Sequence, residues 1–180
     1  MIISAGRRTH RISNKIVFLT GKQRAGKDTV ADLLVEHFGF TKLSLADKVK
    51  DIAIDLFGMG DKDRGLLIQI GTGMRAIRED VWIDFLLSRP IPNTPIVIPD
   101  VRFPNEFNKL KDLGALAVHV DAPVDVRQYR EGYDAEYENN ATEEYLLDYE
   151  HDFRVVNDGT LTELFMKVYQ LGIMVLDLDG

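Results

Sequence analysis

Gly21-Lys22-Gln23-Arg24-Ala25-Gly26-Lys27-Asp28-Thr29 lies between the apolar run Lys15-Ile16-Val17-Phe18-Leu19-Thr20 and a helical pattern opening Val30-Ala31-Asp32-Leu33-Leu34. A strand, a glycine-framed loop and a helix start in that order make a polyphosphate cradle. Backbone N–H groups of the loop and the helix N-terminus hold phosphate oxygens, and the lysine of the G-x-x-x-x-G-K spacing reaches the β/γ end. Gly21, Arg24, Ala25, Gly26, Lys27, Asp28 and Thr29 are the expected binding residues. One position departs from the pattern. Ser or Thr normally follows the lysine and offers Mg²⁺ a hydroxyl; here Asp28 stands there and Thr29 is displaced by one. A carboxylate beside a polyphosphate is repelled unless a cation lies between them, so Asp28 predicts a magnesium-bridged site.

The rest of the chain limits what can surround this loop. At 180 residues it is long enough for one well-buried core and short for two, which predicts a single domain over residues 15–180 behind a flexible tail, 1–14. With no cysteine there is no disulfide or thiolate chemistry, as suits a reducing cytoplasm. No apolar span or export signal is visible, so no membrane partner is expected. A net charge of −7 and a pI near 5.1 argue against a nucleic-acid polymer as partner but leave small anions open. The pattern does not decide between monomer and homodimer.

Four further apolar segments read as strands: Thr41 to Leu45, Pro95 to Pro99, Ala115 to Val120 and Phe153 to Val156. Helical periodicity covers Lys27 to Phe38, Asp47 to Phe57, Arg64 to Arg75, Glu79 to Ser88, Asn105 to Leu113 and Thr160 to Leu171, with Gly39, Gly58, Gly114 and Gly172 as stops. Strands lacking strict alternation and joined through helices predict a parallel five-stranded sheet in a three-layer α/β sandwich, with ligands at the carboxyl ends of the strands. Two stretches interrupt this rhythm. Residues 46–89 form a helical insertion expected to cap the substrate side. Residues 121–152 carry eleven Asp or Glu against Arg127 and Arg130. This stretch is either a solvated acidic helix pair or a lid whose two arginines bring positive charge to the phosphates.

Other candidates cluster at the same sheet edge. Asp100 ends the third strand and reads as a metal-holding acid, as a cap for the helix beginning near Pro104, or as both. Arg102, two residues on, carries the planar fork that suits phosphate. In Gln69-Ile70-Gly71-Thr72-Gly73-Met74-Arg75 two glycines sit where a helix avoids them. Either the helix breaks there or the backbone approaches a ligand, with Gln69 offered to a base edge and Arg75 to a phosphate. Trp82, Phe85 and the stripe Leu164, Phe165, Val168, Leu171 are expected core; His37 and His119 are expected on the surface and in a strand.

On the lysine-then-aspartate loop, together with Leu45-Ala46-Asp47-Lys48-Val49-Lys50-Asp51, Ile98-Pro99-Asp100-Val101-Arg102 and Asn157-Asp158-Gly159-Thr160-Leu161, the chain resembles the phage deoxynucleoside monophosphate kinases. The resemblance implies a P-loop kinase fold with a mobile lid. It implies ATP and Mg²⁺ as cofactors and phosphoryl transfer to a deoxynucleoside monophosphate, in host cytoplasm if the protein is phage-encoded. It adds Lys50 on the substrate side and Asn157 and Gly159 near the adenine of ATP. Lys27, Arg102, Arg127 and Arg130 become the expected catalytic set, Lys50, Gln69, Gly71, Arg75 and Arg102 the substrate set, and Asp28 and Asp100 the metal set. The alternatives are an animal-type phosphomevalonate kinase, which shares the lysine-then-aspartate loop, and a nucleotide-binding module without turnover.

Overall fold

The computed structural model describes residues 15–90, 92–138 and 144–177. The expected tail, residues 1–14, lies outside them. Five strands, β1 (Ile16–Thr20), β2 (Thr41–Lys42), β3 (Ile96–Ile98), β4 (Leu116–Asp121) and β5 (Phe153–Val156), form one parallel sheet in the order β2-β3-β1-β4-β5. Central β1 is buried at every position, as a strand covered on both faces must be. Val17 lies between Val97 on one side and Leu116 on the other. The glycine loop therefore leaves the middle of the sheet's carboxyl edge, where ligands of such folds bind.

The helices are α1 (Lys27–Phe38), α2 (Ala46–Phe57), α3 (Arg64–Ile77), α4 (Val81–Ser88), α5 (Pro104–Asp112), α6 (Val124–Arg127) and α7 (Leu161–Asp177). Alternation along β1 sorts them into layers. Ile16 and Phe18 face a core with Val49, Ala53, Trp82, Ile83, Phe107 and Leu110, where Phe18 meets the edge of the Phe107 ring at 5.0 Å. Val17 and Leu19 face the opposite core of Val30, Leu34, Leu164, Val168 and Leu171. The expected three-layer sandwich is the fold observed.

Details differ from expectation. The second strand has only two residues, because the chain turns at Ser44 to meet Asp100. Phe85 is partly exposed beneath Lys48 rather than buried with Trp82. The glycines Gly71 and Gly73 do not break α3, which runs unbroken to Ile77. There the Gly71 carbonyl accepts the Trp82 indole N–H at 3.1 Å, so it serves packing. Gly172 does not stop α7 either; it is buried inside the helix, where the Phe38 ring occupies the space a side chain would need.

A β-branched residue at 172 would drive into that ring and gain nothing in helix preference. Gly172→Val is expected to lower unfolding free energy by about 1–3 kcal/mol. Urea denaturation checks this, and an unchanged midpoint would show that Phe38 yields freely.

Candidate active site

Loop 21–26 joins β1 to α1, whose first position after Gly26 is Lys27. Gly26 has no side chain to cap α1, so the helix's first N–H groups face the cavity with their partial positive charge. The Lys27 ammonium folds over the loop and donates to the carbonyls of Gly21 (2.5 Å) and Lys22 (2.8 Å). From β5, Asn157 donates its side-chain N–H to the Ala25 carbonyl at 2.9 Å. The loop opens into a cavity of about 640 Å³, the size of a ligand site. Lys27, Asp28, Arg130 and Asn157 line it, together with Lys62, Arg64, Asp100 and Arg102.

Asp28 points outward and pairs with Lys42 at 2.9 Å. Partial desolvation would raise its carboxyl pKa, but the Lys42 hydrogen bond and the charges of Lys42, Lys27 and Lys50 outweigh this and hold it below the ordinary value. Asp100 accepts from Ser44 Oγ (2.7 Å) and from the backbone N–H groups of Leu45 (3.1 Å) and Ala46 (2.8 Å). It therefore holds the start of α2, not of α5. The α5 entry is held instead by Glu106, which accepts from the N–H groups of Arg102 (3.0 Å) and Phe103 (3.1 Å). That turn aims the Arg102 side chain into the cavity, 3.3 Å from the Tyr137 hydroxyl.

Several sequence candidates stand elsewhere. Arg127 is buried: it donates to the carbonyls of Ala122 and Gln23 and makes a two-pronged bond to Glu138, 2.7 Å on each arm. It ties the loop to the acidic segment. Its hydrogen bonds to Glu138 drive that carboxyl's pKa down to about 2. Arg130 does line the cavity, fixed to the carbonyls of Arg24 (2.7 Å) and Asn157 (2.9 Å). Arg75 pairs with Glu106 through Nη2 at 2.6 Å and stacks 4.0 Å over Phe103, leaving Nη1 buried without a hydrogen-bond partner among the described residues. Burial pushes the Glu106 carboxyl pKa up despite this partner. Gln69 is exposed on α3, and neither it nor Gly71 reaches the cavity wall. Lys50 also lies off the wall, pairing with Asp47 at 3.4 Å.

Sequence reasoning missed Lys62 and Arg64, which flank Asp63, the residue capping α3 through the Leu66 N–H. Two cations bracketing a helix cap at the mouth of the insertion were the available signal. It also missed a buried polar chain: Thr20 Oγ1 lies 3.1 Å from His119 Nδ1 and 2.7 Å from His151 Nε2. Burial, then the His151 charge, lowers the His119 pKa to about 4; burial lowers that of His151 too. Among the described residues, no group of three or more His, Asp or Glu is placed to hold a metal, and no helix is long and apolar enough to cross a membrane.

The sheet order and the glycine loop with its lysine make up the P-loop kinase fold. Solved structures share the fold. Shikimate kinase from Bacteroides thetaiotaomicron aligns with a TM-score of 0.60 at 15% identity, over 89% of this chain and 97% of its own. Shikimate kinase from Aquifex aeolicus aligns with a TM-score of 0.53 at 17% identity, over 92% and 99%. The family model of deoxynucleotide monophosphate kinase matches residues 15–70, from β1 into α3. A curated protein of Acanthamoeba polyphaga mimivirus, "Putative deoxynucleotide monophosphate kinase", is 24% identical over 189 residues, covering 85% of this chain and 93% of its own. The resemblance read from the sequence is thus the one that these comparisons return.

Because the His119 pKa is lowered on folding, its neutral ring favours the folded state. That stability is complete above the ordinary histidine value of about 6.5 and drains away as pH falls toward about 4, since the unfolded chain takes up the proton first. Allowing for the ring's partial solvent contact, the loss between pH 7 and pH 5 should be on the order of 1–2 kcal/mol. Urea melts across this range should show it, and His119→Asn should flatten the slope; an equal slope in the variant would remove His119 from the account.

Proposed function

We propose that the chain transfers the γ-phosphoryl group of ATP to a deoxynucleoside monophosphate, releasing ADP and the deoxynucleoside diphosphate. The observation that carries this reading is that a lysine-then-aspartate loop, inside the region matched by the family model, opens into a cavity also lined by Lys62, Arg64 and Arg102. Such a transfer asks little covalent chemistry of the protein. It needs two phosphates held in line and compensation for charge at the transferring oxygens.

The loop N–H groups and Lys27 would hold the β- and γ-phosphates, with Arg130 and Asn157 at the base end of ATP. Arg102 would grip the acceptor's phosphate or the group in flight. Mg²⁺ typically keeps several waters and takes one or two carboxylates plus the phosphates, so a three-acid cluster is not required. Asp28, an ionised and exposed carboxylate directly after the loop lysine, fits that demand. Of about four lone-pair sites on the Asp100 carboxylate, three bonds to the α2 start leave one for a bound water. Asp28 and Asp100 are the residues that would hold Mg²⁺, whose charge would offset that of the phosphates.

A coupled assay of ADP release with each of the four deoxynucleoside monophosphates, with mevalonate phosphate and with no acceptor tests the assignment. The expected result is acceptor-dependent release with deoxynucleotides alone. Release with mevalonate phosphate only, or with nothing, would overturn it.

Two substitutions probe the roles. Lys27→Ala is expected to abolish nearly all turnover with an unchanged circular dichroism spectrum. Arg102→Lys keeps the charge but loses the fork, and should cost about 1.5–3 kcal/mol, roughly ten- to over a hundredfold in kcat/KM. Rates within a few-fold of the parent would take either residue out of the site.

A further inference from the structure

A single turn of the segment between β4 and β5 links the loop to the start of α3. At Asp134 its backbone is clipped to the phosphate loop: the Gln23 side chain donates to the Asp134 carbonyl at 2.6 Å and accepts from its N–H at 3.3 Å. Asp134 Oδ1 closes the turn by accepting from the N–H groups of Glu136 (3.0 Å) and Tyr137 (3.2 Å). The other oxygen, Oδ2, receives Arg64 Nη1 at 2.8 Å. The Arg64 guanidinium lies 4.1 Å over the Tyr137 ring, and the hydroxyl of that same ring meets Arg102. Two cavity-lining arginines, one from α3 and one from the end of β3, thus share one phenol ring.

We propose that Arg64 binds the acceptor's phosphate and that Asp134 holds its place, so that the acceptor enters by exchanging one anion for another on the same guanidinium. This rests on the functional reading above. Arg64 is displayed from a fixed backbone, since Asp63 caps the helix at its base. Both members of the Arg64–Asp134 pair are substantially solvent-exposed, at 42% and 38%, and surface pairs of this kind are weakly held. A phosphate monoester carries more charge than a carboxylate and accepts both arms of an arginine fork, so it should displace Asp134. The stacking on Tyr137 survives the exchange because it does not depend on which anion Arg64 holds.

Asp134→Asn separates the two roles of this side chain, because the amide oxygen can still close the turn while the charge is lost. With the best of the four deoxynucleoside monophosphates as acceptor, Asp134→Asn should lower the acceptor's KM about threefold and leave the KM for ATP within twofold. Arg64→Gln should raise the acceptor's KM at least tenfold, Arg64→Lys by less, and in the Arg64→Gln background Asp134→Asn should have no further effect. Thermal melts confirm that each variant is folded. An unchanged or higher acceptor KM in Asp134→Asn, an equal drop in the Arg64→Gln background, or Arg64 variants like the parent would each overturn the proposal. Those results in a protein that does phosphorylate deoxynucleotides sink this proposal alone; a parent that phosphorylates none of them sinks the functional reading and this proposal together.

Discussion

The site depends on how closely the backbone of residues 21–26 can approach the strand ends around it. Gly21 has φ 129°, and a Cβ there would fall 2.1 Å from the Val120 carbonyl oxygen at the end of β4. Gly26 has φ 102°, and a Cβ there would fall 2.3 Å from Asn157 Nδ2, just past β5. A side chain at Gly21 would push the loop off β4, and one at Gly26 would displace the Asn157 amide from the Ala25 carbonyl. The loop's curvature, the uncapped start of α1 and the placement of Lys27 all follow from that approach. Because the loop leaves the central strand, everything that leaves its neighbours at the same edge, from Arg102 to Asn157, converges on one cavity.

Charge supplies the second layer of organisation. The chain is acidic overall, yet in the cavity lining six cations, Lys27, Arg24, Arg130, Lys62, Arg64 and Arg102, outnumber the acids Asp28, Asp100 and Glu131. The acidic segment after β4 accounts for part of the balance. Glu138 serves Arg127 and Lys22, and Asp134 serves Arg64. Of these, only the Asp134 partner Arg64 lines the cavity; Glu138 ties the segment to Arg127 and Lys22 beside the loop. An acidic stretch is thus compatible with a fold that handles polyphosphates.

Local signals were read with fair accuracy in the sequence. Buried parallel strands appear as unbroken apolar runs, and α1 spans the expected Lys27 to Phe38. The phosphate loop was visible because its chemistry is confined to nine consecutive residues. Partners far along the chain were not legible. Arg127 looked like a free cation until Glu138 and the Gln23 carbonyl were seen to claim it, and Asp100 is committed to a turn some 55 residues earlier. Thr20, His119 and His151 come together only when β1, β4 and the approach to β5 are assembled. Gly172 failed as a stop signal because a ring on α1 required its lack of a side chain, a packing demand with no local signature.

The proposed function requires that the γ-phosphoryl group of ATP, held by the loop and Lys27, pass to a deoxynucleoside monophosphate bound in the same cavity. ATP labelled in its γ-phosphate, incubated with the protein, Mg²⁺ and each deoxynucleoside monophosphate, and resolved by thin-layer chromatography, tests this directly. The account predicts label in the deoxynucleoside diphosphate in proportion to the ADP formed. Label found only in inorganic phosphate, whichever acceptor is present, would contradict it.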